Sequence, residues 1–230
     1  FGDEVRFARL GLVIVDEQHR FGVLQKNSLM AKASAPHVLV MTATPIPRTL
    51  VLSIYGDLEV SILDELPPGR APIKTIRMSA GMEKTLLDQV REEIRRGRQV
   101  YWVCPLIEDE EQGEPRAVVS RFGRLSSALP EVRIAMLHGR LPMGEKESIM
   151  RSFSEGKTDL LVATAVIEVG LDVPNATLMI VEDAGRFGLA QLHQLRGRVG
   201  RGRAEGVCIL LEGGETSLEG RERIEAMLRT

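Results

Sequence analysis

The chain has 230 residues, of which 43% are hydrophobic and 27% charged, enough apolar material for one large or two small cores of an ordinary α/β protein. No apolar run approaches the ~20 residues of a membrane span, and the opening FGDEVRFARL lacks the apolar core of a signal peptide, so no membrane partner and a cytoplasmic location are expected. A formal net charge of −2 excludes a global positive field for nucleic acid, and two cysteines, Cys104 and Cys208, lie too far apart for a disulfide or metal framework and read as buried thiols.

Short β-branched runs alternate with helical patterns along the chain, the signature of a parallel α/β sheet. LGLVIV and HVLVM read as two buried strands, and the run Glu65-Leu66-Pro67-Pro68-Gly69-Arg70-Ala71-Pro72 then breaks all regular structure, because its prolines forbid helix and disfavour an interior strand. Beyond it IKTIRM predicts a strand, 82–96 a helix closed by Gly97, VYWVCPLI a strand, 116–128 a helix, RIAMLHG a strand and 142–155 a helix. DLLVATAV, TLMIVED and GVCILLE predict three further strands, with helices over 188–201 and from about 216. Six strands with intervening helices make a complete doubly wound unit. The two strands before the proline run do not make a self-sufficient layer. The expected division is therefore 1–66, a linker over 67–72, 73–212, and a final segment 213–230.

Asp16 and Glu17 follow directly on the first apolar strand, where ligands of open α/β sheets bind. Two adjacent acids there suit a magnesium nucleotide: one carboxylate holds the metal, usually through water, and the next orients or deprotonates the attacking water. Taken alone they equally suit two solvated acids opening a helix. The second strand ends in MTATPIPRTL, where Thr42 and Thr44 put two hydroxyls on a tight turn.

Residues 184–204 contain no acid but hold Arg186, Arg196, Arg198, Arg201 and Arg203. At helical spacing Gln191, Gln194, Arg198 and Arg201 share one face, with Leu192, Leu195 and Val199 opposite. Two guanidinium groups beside glutamine amides suit the developing charge of a triphosphate. Gly197 and Gly200 are poor helix residues, which points to close approach of another backbone. Two other patterns are decoys. Gly156-Lys157-Thr158 resembles the end of a phosphate-binding loop, but Arg151 stands where the first glycine belongs and a helix precedes it. Gly197, Gly200 and Gly202 fail as a dinucleotide fingerprint because no strand leads into them.

DEQHRFGV (16–23), MTATPIPRTL (41–50), LHGR (137–140), LLVATAVIEVGLDVPNA (160–176) and AQLHQLRGRVGRG (190–202) resemble successive motifs of the superfamily 2 helicases. The wording of the first and the LPPGR linker are similar to the branch of that superfamily that translocates on branched DNA. The resemblance implies two RecA-like lobes, the first truncated on its N-terminal side and the second a complete helicase C-terminal domain, followed by the start of a translocation hairpin. It implies ATP and Mg²⁺ as cofactors, branched duplex DNA as partner, and a monomer. By the same resemblance Asp16 holds Mg²⁺, Glu17 activates water, His19 couples nucleotide state to DNA, and Thr42 and Thr44 transmit between the sites. Thr164 and His138 lie along the DNA track. Glu168, Gly170 and Asp172 line the nucleotide and DNA surfaces, and Gln194, Arg198 and Arg201 face the triphosphate. The phosphate-binding loop and a DNA-splitting wedge domain are then expected upstream of residue 1, and this chain by itself is expected to be inactive. A noncatalytic nucleic-acid-binding module and an RNA-remodelling helicase are the alternatives.

Overall fold

The computed structural model describes residues 5–16, 28, 31–32, 36–42, 59–63, 72–106, 116–164, 172–202, 204–214 and 216–230. The chain divides into two units, 1–64 and 65–230. Residues 67–71 of the expected linker lie outside the described residues.

In the first unit, β1 (Leu12–Val15) and β2 (His37–Val40) pair in parallel, Leu12 opposite His37 and Val15 opposite Val40. Successive side chains of a strand point to opposite faces. Val13 and Val15 are accordingly buried while Leu12 and Ile14 are exposed. Two parallel strands start and end level, so Asp16 and the Met41-Thr42 step emerge together at their carboxyl ends, joined by the Met41 amide donating to the Val15 carbonyl at 2.8 Å.

The second unit carries β3 (Lys74–Ser79), α1 (Glu83–Arg95), β4 (Gln99–Val103), α2 (Arg116–Ala128), β5 (Ile134–Leu137), α3 (Met143–Ser154), β6 (Leu160–Ala163), β7 (Ala176–Val181), α4 (Leu189–Arg196), β8 (Val207–Glu212) and α5 (Leu218–Arg229). Its six strands form one parallel sheet in the order β3-β8-β7-β4-β6-β5. The doubly wound sheet read from the sequence is the fold observed. Strands covered on both faces read as continuous apolar runs, and β4, β6 and β7 are buried at every position. Alternate residues feed two cores. Tyr101, Val103, Leu161, Met179 and Leu210 face α3, α4 and α5, whereas Trp102, Val162, Ile180 and Ile209 face α1 and α2. Cys104 and Cys208 are free and buried, as expected, and burial pushes both thiols up, Cys208 to about 12.

Helix ends follow from local chemistry. After α1, Gly97 adopts φ +74, its amide donates to the Ile94 carbonyl at 2.9 Å and the Arg98 amide to Glu93 at 3.0 Å, the paired bonds of a Schellman cap. The same motif closes α3 at Gly156 (φ +71), with bonds to Phe153 at 3.0 Å and from Lys157 to Ser152 at 2.9 Å. The lysine-threonine pair that imitates a phosphate loop is thus a helix stop leading into β6. At the C-terminus α5 is part of the core: Ile224 and Met227 are fully buried beside Leu192 and Leu195, and each such side chain contributes roughly 1.5–3 kcal/mol by leaving water.

Candidate functional site

The helix expected over 188–201 stops at Arg196. Its N-terminus is fixed by the Gln191 side-chain oxygen accepting from the Gly188 amide at 3.0 Å. From Gly197 the chain tightens into i→i+3 bonds, Arg198 amide to Leu195 carbonyl at 2.9 Å and Val199 amide to Arg196 carbonyl at 3.3 Å. Gly200 then reverses it at φ +66, its amide donating to the Ala176 carbonyl at 3.3 Å. Gln191 and Gln194 therefore ride on α4, while Arg198 and Arg201 lie on the turn after it. The single helical face expected from the spacing does not form, because glycine at 197 and 200 releases the backbone at the point where a close crossing demands it.

That crossing is internal. A Cβ on Gly200 would meet Ile73 Cγ1 at 3.1 Å, a Cβ on Gly206 would stand 2.9 Å from the Gly200 Cα, and one on Gly202 would stand 2.5 Å from the Pro174 carbonyl oxygen. The glycines let the arginine turn pack against the chain's own segments leading into β3, β7 and β8. Gly200→Ala is expected to destabilise the fold by about 1–2 kcal/mol from its left-handed backbone alone, read as a lowered urea midpoint; an unchanged midpoint would contradict the tight crossing.

The three helix-end arginines separate by partner. Arg196 is structural: one Nη donates to Thr75 Oγ1 (3.3 Å), the Met227 carbonyl (3.3 Å) and Thr230 Oγ1 (3.2 Å), and the other contacts His193 Nδ1 at 3.2 Å. It ties α4 to β3 and α5, and burial together with its charge lowers the pKa of His193. Arg196→Ala is expected to cost about 1–3 kcal/mol, the range for losing bonds from a charged donor, measured as a drop in thermal stability at otherwise unchanged far-UV spectrum. Arg201 donates through Nε to the Gly197 carbonyl at 2.8 Å and through Nη1 to Asp172 Oδ1 at 3.3 Å. Below them Tyr101 is buried against Phe153, ring centroids 4.8 Å apart. Burial raises its phenol to about 12 against the opposing pull of Arg198 and Arg201. Tyr101 was not singled out by the sequence, where it is one apolar-run residue more than 90 positions from the arginines.

The other expected residues of this unit lie elsewhere on it. His138 follows β5 and Thr164 follows β6, and the Thr164 amide donates to the Leu137 carbonyl at 3.1 Å, so both emerge at the carboxyl edge of the sheet. Thr164 is fully buried and its Oγ1 finds no hydrogen-bond partner among the described residues. The arginine turn, packed at Ala176, Ile73 and Gly206, stands instead at the amino edge of β7, β3 and β8. Glu17, His19, Thr44, Glu168 and Gly170 lie outside the described residues. In the first unit Asp16 and Thr42 are exposed side by side.

Two features carry no sequence signal. A cleft of about 750 Å³ at the carboxyl ends of β4, β7 and β8 is lined by Pro105, Leu106, Asp183, Arg186, Gln191 and Ser217; it takes in Arg186 and Gln191 from the arginine-rich stretch but not Gln194, Arg198 or Arg201. Beside it Arg121, over the Trp102 ring at 5.2 Å, pairs with Glu83 at 2.7 Å and with Glu182. Both are assembled from positions scattered over several elements. No helix among the described residues is long and apolar enough to cross a membrane.

The family model for the helicase conserved C-terminal domain matches residues 77–203. Across its whole length the chain is 52% identical to the ATP-dependent DNA helicase RecG of Acidithiobacillus ferridurans, covering 34% of that protein. It is also 52% identical, over 92% of its length, to the ATP-dependent DNA helicase RecG of Escherichia coli strain K12, covering 31% of it. Among solved structures it is similar to RecG bound to a three-way DNA junction, with TM-score 0.77 and 43% identity over 98% of this chain and 29% of that one. The Saccharomyces cerevisiae protein Dbp5 bound to RNA and ADP BeF3 shares the fold, with TM-score 0.62 at 19% identity. The chain spans about a third of the length of the curated relatives it matches.

Proposed function

This chain belongs to the helicase conserved C-terminal domain family, and from that premise we propose that it is the motor portion of a longer ATP-dependent DNA helicase that remodels branched DNA in recombination and repair. The observation that carries the reading is the 52% identity running through the entire chain to proteins named RecG, supported by the likeness to RecG on a three-way junction. The layout supports two different partners for the second unit: His138 at the carboxyl edge, with Thr164 buried next to it, for nucleic acid, and the Arg198–Arg201 turn at the amino edge for nucleotide.

Magnesium fits the residues present. It is a hard cation bound by one or two carboxylates together with phosphate oxygens and water, and Asp16 presents an exposed carboxylate at the end of β1. When bound with ATP it neutralises charge on the phosphate oxygens. Glu17, next along the chain, accepts the proton of the attacking water. Arg198 and Arg201 offer fixed positive charge to the triphosphate as its leaving oxygens gain charge. His19, Thr42 and Thr44 relay between nucleotide and DNA, with Glu168, Gly170 and Gln194 lining the same surfaces. The full protein acts as a monomer in the cytoplasm.

The test is ATP hydrolysis by the full protein with a three-way DNA junction, linear duplex or RNA duplex. Stimulation is expected in the order junction, linear duplex, RNA. Equal or greater stimulation by RNA duplex would overturn the DNA assignment.

A further inference from the structure

In an open parallel sheet, ligands bind at the carboxyl ends of the strands, at the point where the connections of two neighbouring strands leave in opposite directions. In the order β3-β8-β7-β4-β6-β5 that point lies between β4 and β7. The chain after β4 goes to α2 on the Trp102 face, and the chain after β7 goes to α4 on the Tyr101 face. The cleft of about 750 Å³ opens where they part, and its size is that of a ligand site. No role proposed above uses it.

The polar lining offers mainly donors. The Gln191 and Ser217 side-chain oxygens already accept within the protein, from the Gly188 amide at 3.0 Å and the Gly220 amide at 3.1 Å, which leaves an amide NH₂ and a hydroxyl hydrogen to donate. Arg186 adds a guanidinium that makes no hydrogen bond among the described residues, where its ion pair with Asp183 is loose at 3.9 Å. Arg196 and Arg201 of the same acid-free stretch instead donate to protein oxygens. Asp183, the acid among the described lining residues, is turned toward β8, its Oδ1 fitting against Gly213 only because that residue has no side chain. The Arg186 side chain is 61% exposed, yet the turn that carries it is fixed. Arg223 donates to the Gly185 carbonyl at 2.5 Å, and a Cβ on Gly220 would stand 3.0 Å from the same oxygen. A planar fork on a fixed base, beside two neutral donors, suits an anion with several oxygens, as phosphate is.

We infer that this cleft seats a backbone phosphate of the DNA duplex, with Arg186 as its cation; this rests on the DNA reading proposed above, which places His138 on the same edge of the sheet. The middle of the cleft lies two to three strand spacings from β5, about 12 Å. The B-DNA major groove is about as wide, so one duplex can present a phosphate at each place, one from either strand.

The experiment measures binding of a labelled three-way DNA junction by the full protein over a series of salt concentrations, for the parent, Arg186→Ala, Arg186→Lys and Arg95→Ala, with a melting temperature for each. Each neutralised backbone phosphate contributes about −0.9 to the slope of log K against log salt. Arg186→Ala is expected to reduce the magnitude of that slope by about 0.9 and to weaken binding about tenfold at low salt. Its melting temperature should not change, because an exposed ion pair adds little to stability. Arg186→Lys should keep the slope, since counterion release counts charge and not shape. Arg95 is the control: it is 70% exposed at the end of α1, paired with Glu92 at 2.8 Å, and α1 leads into the amino end of β4. Arg95→Ala removes the same charge and should leave the slope as it is. A slope unaltered by Arg186→Ala, an equal fall with Arg95→Ala, or a raised KM for ATP with junction binding untouched would overturn the inference and leave the DNA reading standing. A parent protein that fails to bind the junction would instead overturn the DNA reading, and this inference with it.

Discussion

Arg198→Ala in the full protein is expected to lower DNA-stimulated ATP turnover by about 10³-fold, the lower end of what an arginine supplied to a transferring phosphoryl group contributes, while KM for ATP changes far less. The effect is large because the charge it offers is preorganised. Arg198 follows a helix whose Leu192 and Leu195 are buried, and the turn beyond is fixed by Gly200 at φ +66 and by Gly206 packed against it. A group held in place costs no reorganisation as the transition state forms. Lysine at the same position is expected to restore little, because a point charge on a flexible stem does not reproduce a planar fork. Arg196 gives the internal control: two positions away, it faces β3 and α5, so its removal should lower stability and leave the chemical step comparatively intact. Equal loss of turnover from both substitutions at matched stability would show that the arginines had been assigned wrongly.

Glu17→Gln is expected to abolish turnover, by about 10²–10⁴-fold, while ATP still binds. General-base catalysis contributes on that order, and the amide keeps the size of the carboxylate but cannot take the proton. Asp16→Asn should differ in kind, weakening the magnesium dependence of nucleotide binding as well as the rate, because Asp16 is the carboxylate proposed to hold the metal. Fluorescent ATP-analogue binding alongside phosphate release separates the two. Retained hydrolysis by Glu17→Gln would remove the base from the account.

Much of this arrangement is legible in the sequence because it depends on patterns that are local. VYWV and TLMIV are continuous apolar runs, and continuous apolar runs in an α/β chain are interior parallel strands. Gly97 and Gly156 close helices where the amphipathic period runs out. The motifs at 16–23 and 190–202 are each contained within a short stretch of sequence, and the helicase family model spans the second of them. What the sequence hides is geometry made by distant neighbours. The 3.6-residue period carries through 188–201, yet α4 ends at Arg196, because the crossing with Ile73 and Gly206 that requires Gly200 to turn back is a tertiary contact. The Asp172–Arg201 pair spans 29 positions and Tyr101 comes from a different strand, so neither stands out by spacing. Arg121 and Glu182 are likewise remote in sequence, and only the sheet order brings α2 over the end of β7.

The central claim is that the Arg198–Arg201 turn serves ATP hydrolysis that drives remodelling of branched DNA. Its most direct test is unwinding of a labelled three-way junction by the full protein and by its Arg198→Ala variant, with junction binding followed in parallel. The account predicts that the variant binds the junction as tightly as the parent but neither hydrolyses ATP nor unwinds. Unwinding at the parent's rate by Arg198→Ala, or failure of the parent protein to unwind the junction with ATP present, would contradict it.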